Sequence, residues 1–86
     1  MIIKKDLIKR EIAGEFFLVP VGKSMYDSNG LFILTDLGNF IWDLLPNAGG
    51  VDDLVQAVLA EYEVDEATAR ADIQEFLKKL ETLGIL

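Results

Sequence analysis

The side chains able to do chemistry in this 86-residue chain are carboxylates and hydroxyls, because it contains no cysteine and no histidine. That composition excludes disulfide and thiolate chemistry, the usual zinc ligands, and the usual general base near neutral pH. It also excludes every Ser/His or Cys/His nucleophile pairing. Asp52 and Asp53 are adjacent and could form a metal pair. They open a stretch with helical spacing, however, where acidic residues answer the positive end of the helix dipole. Asp65, Glu66 and Asp72 read the same way. Catalysis is therefore the least supported class, and no cofactor is expected.

Composition favours one folded domain over residues 1–86, with about half of the residues apolar. A chain this short buries only about 60–65% of its unfolded surface, so its core is modest. The start, MIIKKDLIKREIAG, has charges throughout and no continuous apolar region, so it does not read as a signal peptide. No apolar run approaches the roughly 20 residues that span a membrane, and a cytoplasmic protein is expected. The net charge of −7 argues against a phosphate-rich partner. The basic residues Lys4, Lys5, Lys9 and Arg10 are interrupted by Asp6 and closed by Glu11, which reads as a solvated strand face. Tyr26-Asp27-Ser28-Asn29 contains the Asp-Ser dipeptide of acidic carrier proteins. There the serine opens a helix; here Asn29-Gly30 and an apolar strand follow, so the context is wrong.

The spacing changes period along the chain. Residues 7–13 (LIKREIA) and 15–21 (EFFLVPV) flank Gly14 and predict two strands joined by a tight turn. Phe16 and Leu18 would face one way and Phe17 and Val19 the other, so the second strand is central or covered on both faces. Pro20 belongs at its end or at a bulge. Residues 22–30 read as a loop and Leu31–Leu34 as a third strand, completing an antiparallel meander. From Thr35, a plausible N-cap, the spacing is helical. Leu37, Phe40, Ile41, Leu44 and Leu45 form a stripe flanked by Trp42, which reads as core, and the helix stops at Pro46-Asn47-Ala48-Gly49-Gly50. A second helix is expected over 51–61, with Leu54, Val55, Val58, Leu59 and Tyr62 inward. The third, over 65–83, is capped by Asp65 and ended by Gly84, with Ala69, Ile73, Phe76, Leu77, Leu80 and Leu83 along one side. Glu66 with Arg70 and Glu75 with Lys79 form i,i+4 pairs. The fold class is α+β, in the order βββααα.

The succession FFLVPVG, a short strand running into T-x-x-G-x-x-I-W-x-L-L, V-D-D-L-V, E-Y-x-V-D and D-I-Q-x-F-L-x-x-L-x-x-L-G-I-L resembles the PqqD-like family from about Glu15 to Leu86. The family is named for a protein of pyrroloquinoline quinone biosynthesis. Its members serve as recognition domains in the making of ribosomally synthesised, post-translationally modified peptides. The resemblance implies a winged-helix-like fold and a leader peptide bound as an added strand between the third strand and the third helix. It also implies a separate modifying enzyme as partner, such as a radical-SAM maturase. Thr35 departs from the family's frequent Asn, and either residue caps a helix.

The strand pattern supports that implication independently. In a three-stranded meander the first and third strands have free edges, which natural proteins hide or charge. The first strand carries Lys9, Arg10 and Glu11. Leu31, Phe32, Ile33 and Leu34 carry neither charge nor proline. Such an edge is either buried under the protein's own helices or kept for a peptide; with the resemblance, the docking edge is favoured. On the third helix Asp72, Phe76 and Lys79 share a side at i, i+4 and i+7, with Glu75 beside them. Phe76 reads equally as core or as the floor of a peptide pocket. The alternative class is a winged-helix DNA-binding or regulatory domain. Residues 65–84 hold five acids and three bases, a poor surface for a major groove.

Overall fold

The computed structural model describes residues 1–23 and 32–86. Three strands, β1 (Leu7–Ile12), β2 (Glu15–Pro20) and β3 (Phe32–Leu34), precede three helices, α1 (Asp36–Leu44), α2 (Val51–Glu61) and α3 (Glu66–Thr82). The sheet is antiparallel in the order β1-β2-β3, so β2 is central. Its register pairs Arg10 with Phe17 on one side and Phe17 with Ile33 on the other.

β1 ends at Ile12, one residue before the expected end. Ala13 and Gly14 both have positive φ, +53° and +81°, as the two central residues of a type I′ hairpin turn require. Ala13 is thus turn rather than strand. Pro20 closes β2, where its missing donor does least harm. The expected loop over 22–30 falls mostly on residues 24–31, outside those described, as do the Asp-Ser dipeptide and Leu31.

Helix boundaries follow their caps. The Thr35 hydroxyl accepts from the Gly38 N–H at 3.0 Å, and the Asp65 carboxylate accepts from the Thr68 N–H at 2.7 Å. Each satisfies a backbone donor at a helix start. That backbone hydrogen bond, with one from the Thr68 hydroxyl, holds the Asp65 carboxyl below its ordinary pKa. A 3₁₀ turn at Leu45–Asn47 continues α1 into the Pro46 stop. At the end of α3, Gly84 takes φ +74°, its N–H donates to Glu81 O, and the Ile85 N–H reaches Leu80 O. This Schellman closure turns the chain back so that Ile85 re-enters the core.

The helices cover one face of the sheet. Leu18 and Leu34 from the strands meet Ile41 and Trp42 of α1, with Leu54 and Val58 of α2 and Ile73 and Leu80 of α3 behind them. Each fully buried aliphatic side chain contributes about 1.5–3 kcal/mol. α2 packs on α3, while α1 bridges β3 to both. Two expected core positions lie elsewhere. Tyr62 is exposed and sets its ring edge-on to Phe40, with centroids 5.5 Å apart. Leu83, still helical as the C-cap of α3, is exposed because it lies seven residues after Phe76, on the flank of the helix beside Phe32 and Lys79 and not over the core.

Candidate functional site

β3 is short and uncharged, and among the described residues it pairs with β2 alone. Among the described residues its other side is a free edge of backbone donors and acceptors. Alternation along the strand divides its side chains: Leu34 is buried in the core, whereas Ile33 is 62% exposed. Phe32 is half-buried and meets Phe76 of α3 edge-to-face, with ring centroids 6.3 Å apart.

Between β3 and α3 runs a groove of about 350 Å³. Its apolar part is made by Phe32, Ile33, Leu37 and Phe76, and its rim on α3 by Asp72, Glu75 and Lys79. The helical spacing therefore brings together the four α3 residues selected from the sequence, and sets two of the four strand residues against them. Leu34 is not among the lining residues, since its side chain faces the core. Phe76 has both roles that its sequence left open, packing on the core and lining the groove. Glu75 and Lys79 are 3.6 Å apart at the rim, both largely exposed.

Sequence reasoning missed Thr35, Leu37 and Gly38 on the α1 side of the groove. Gly38 is buried in α1, and a Cβ built there would stand 3.1 Å from Cε1 of Phe76 and 3.2 Å from the Thr35 hydroxyl. The missing side chain lets the Phe76 ring lie against the helix. A glycine inside a helical pattern costs about 1 kcal/mol against alanine, and that anomaly was the available signal. A second, more open hollow of about 410 Å³ continues the groove past Phe32, Glu75 and Lys79 toward Lys78, Thr82 and Leu83. Leu83 thus lines this hollow instead of the core.

Asp52 and Asp53, the candidate metal pair, are engaged in structure. Asp52 pairs with Arg70 at 2.8 Å, and Asp53 accepts from the Gly49 N–H at 2.7 Å. Among the described residues no group of three or more His, Cys, Asp or Glu could hold a metal ion. No helix among them is long and apolar enough to cross a membrane. Chemically, the site offers a line of backbone hydrogen-bonding groups beside an apolar trough with a charged rim.

Residues 18–86 match the family model of coenzyme PQQ synthesis protein D, PqqD. The chain belongs to the PqqD family. The matched span begins at the middle of β2 and contains β3, all three helices and every groove-lining residue named above. A solved structure, TbiB1 in complex with the TbiA(beta) leader peptide, is similar over 100% of this chain and 94% of that one, with a TM-score of 0.77 and 29% identity. No curated protein matches the sequence. The βββααα order expected from the spacing is the order found.

Proposed function

We propose that residues 1–86 form a non-catalytic recognition domain that captures the leader segment of a ribosomally synthesised precursor peptide. The leader adds as a strand to β3, and the attached core peptide is presented to a separate modifying enzyme. The observation that carries this reading is the free, uncharged edge of β3 lying directly beside the groove. TbiB1, similar along the whole chain, was solved holding a leader peptide, which supports the same mode here.

Backbone pairing along Leu31–Leu34 supplies affinity, and the trough between Phe32, Ile33 and Phe76 takes leader side chains. Asp72, Glu75 and Lys79 line the rim and select among leaders. Leu34 takes part through its backbone. The benefit to the reaction is effective concentration: a short tether holds the core peptide near the enzyme at roughly millimolar concentration. A radical-SAM maturase is the enzyme class that the family resemblance implies, and the cytoplasm is where such a pair would meet. The domain itself needs no cofactor for this task.

The test is calorimetry of the purified chain with a synthetic leader from the precursor peptide encoded beside its gene. One-to-one binding with a Kd of about micromolar or tighter is expected, because an added strand and one trough make a small interface that pays ordering entropy. Absence of leader binding, or tight binding to duplex DNA in its place, overturns the proposal.

A further inference from the structure

The groove has an apolar continuation at its α1 end. Leu37 lines it there, and Phe40 and Leu44 follow at i+3 and i+7, which sets the three along one flank of α1. All three are only partly buried. Their line meets Tyr62 at the end of α2, which is 39% exposed and sets its ring edge-on to Phe40. A seam of apolar and aromatic surface thus leaves the groove at Leu37 and crosses α1 to Tyr62.

Charge indicates what covers this seam. Residues 32–69 hold eight Asp and Glu and no Lys or Arg, whereas the far end of the groove carries Lys78 and Lys79. Asp36 precedes Phe40 by one turn, Glu61 and Glu63 flank Tyr62, and Asp72 stands on the adjoining groove rim. These four carboxylates form no ion pair or side-chain hydrogen bond among the described residues. Aromatic rings among unpaired carboxylates suit a cation carried beside an apolar group, because the cation can meet a carboxylate and a ring face together. A second copy of the chain is a poor occupant, since each carries a net charge of −7 and the two would repel. Continuity favours the leader itself: a chain leaving the groove past Leu37 reaches Phe40 next. β3 runs directly into α1, so a leader paired antiparallel, the commoner arrangement, emerges at this end with its N-terminal side.

We infer that Phe40, Tyr62 and the carboxylates around them form a second leader subsite, which takes the segment just upstream of the added strand and selects an apolar residue next to Lys or Arg. The inference rests on the strand-addition reading above and lies outside the groove, which none of Phe40, Glu61, Tyr62 and Glu63 lines. It also meets a need of that reading. β3 has three residues and no charge, so it specifies the register of an added strand weakly, and a slip of one residue would turn the wrong side chains into the groove. An anchor beyond the strand fixes the register.

The experiment is calorimetry of the full chain with synthetic leaders from the precursor peptide encoded beside its gene, one whole and others shortened stepwise from the N-terminus. The parent should bind the whole leader about fivefold or more tightly than the shortest one that still binds, and the difference should shrink as salt is added. Tyr62→Ser, and separately Glu61→Lys with Glu63→Lys, change exposed residues. Both variants should keep the parent's circular dichroism and its affinity for the shortest leader, yet lose that factor with the whole one. If they bind the whole leader as the parent does, the seam is not a subsite, although the groove reading stands. If they weaken the shortest leader equally, the substitutions act through the groove and the inference is overturned. It is overturned as well if they spare the leader and weaken binding of the purified modifying enzyme encoded beside the gene, which would assign the seam to that enzyme. If the parent binds no leader at all, both proposals fall together.

Discussion

Gly38 shapes the groove by what it lacks. Alanine there gains about 1 kcal/mol of helix propensity, but its Cβ would press on the Phe76 ring at 3.1 Å. The two effects oppose each other, so Gly38→Ala should melt within a few degrees of the parent while the displaced ring narrows the trough and weakens leader binding several-fold. Parallel melting curves and calorimetry separate the two readouts; unchanged affinity would show that the Phe76 ring does not set the trough. Lys79→Glu should weaken leader binding with a stability change under about 0.5 kcal/mol, because Lys79 is exposed and its pair with Glu75 is a surface one. Phe76→Ala should harm both, by less than the roughly 3–5 kcal/mol of a fully buried ring, since Phe76 is only half-buried. At this scale, legibility depended on whether a residue answers to one requirement or to two. Ile73 and Leu80 serve only the core, and their spacing gave them away. Phe76 serves core and groove together, so no single period describes it. Leu83 keeps the helical spacing, yet it falls on the same flank as Phe76 and lines the second hollow.

β3 is the element on which the function depends, and proline substitution tests it. In an antiparallel strand successive residues direct their N–H and C=O groups alternately to one neighbour and the other. Phe32 and Ile33 therefore differ in which side they serve. Proline at the residue that bonds β2 should unfold this small domain. At the other, only a free edge loses its donor, so the fold should survive while leader affinity falls by about 0.5–1.5 kcal/mol. Leu34→Pro should unfold in either case, because it also removes a side chain buried in the core. If Phe32→Pro and Ile33→Pro both fold and both bind normally, the leader does not dock on this edge. The start of α3 yields a second test. The Asp65 carboxyl is held below its ordinary pKa, chiefly by the Thr68 N–H. Its contribution is therefore complete above the ordinary carboxylate range and is lost as pH falls through the lowered value. Asp65→Asn keeps an acceptor, so the acid melts of the two proteins should differ above about pH 4 and converge as pH falls below the ordinary carboxylate range. Caps such as Thr35 and Asp65 made the helix starts legible. The end of β1 was not, because Ala13 takes a positive φ that an Ala-Gly pair does not advertise as Asn-Gly would.

For the whole molecule, order and spacing of apolar segments were enough to indicate the architecture and the family, since each segment has one way to bury its stripe against the others. The open face of the sheet was not legible. Alternation in β2 shows two apolar sides, but only the packed structure reveals that helices cover one of them. The charge balance has consequences at this scale as well. Fifteen acids face eight bases, and the molecule measures 39 × 29 × 19 Å. At about 0.01 M salt the Debye length is roughly 30 Å, so the excess negative charges repel one another across the whole body. At 1 M it is about 3 Å and that repulsion is screened. Salt also weakens the exposed ion pairs, including Arg70 with Asp52, but such pairs contribute only about 0–1 kcal/mol each. Lys9 with Asp43, at 2.7 Å and partly exposed, is a pair of the same kind. Relief of the net repulsion should therefore win, and the melting temperature at pH 7 should rise between 0.01 and about 0.5 M sodium chloride. With no histidine and no cysteine, no side chain has its ordinary pKa between about pH 5 and pH 8. The melting temperature at fixed salt should accordingly be flat from about pH 5.5 to pH 6.5. Calorimetric scans over a grid of salt and pH check both. A melting temperature that falls as salt is added would mean that specific ion pairs, rather than net charge, dominate the electrostatics of this fold.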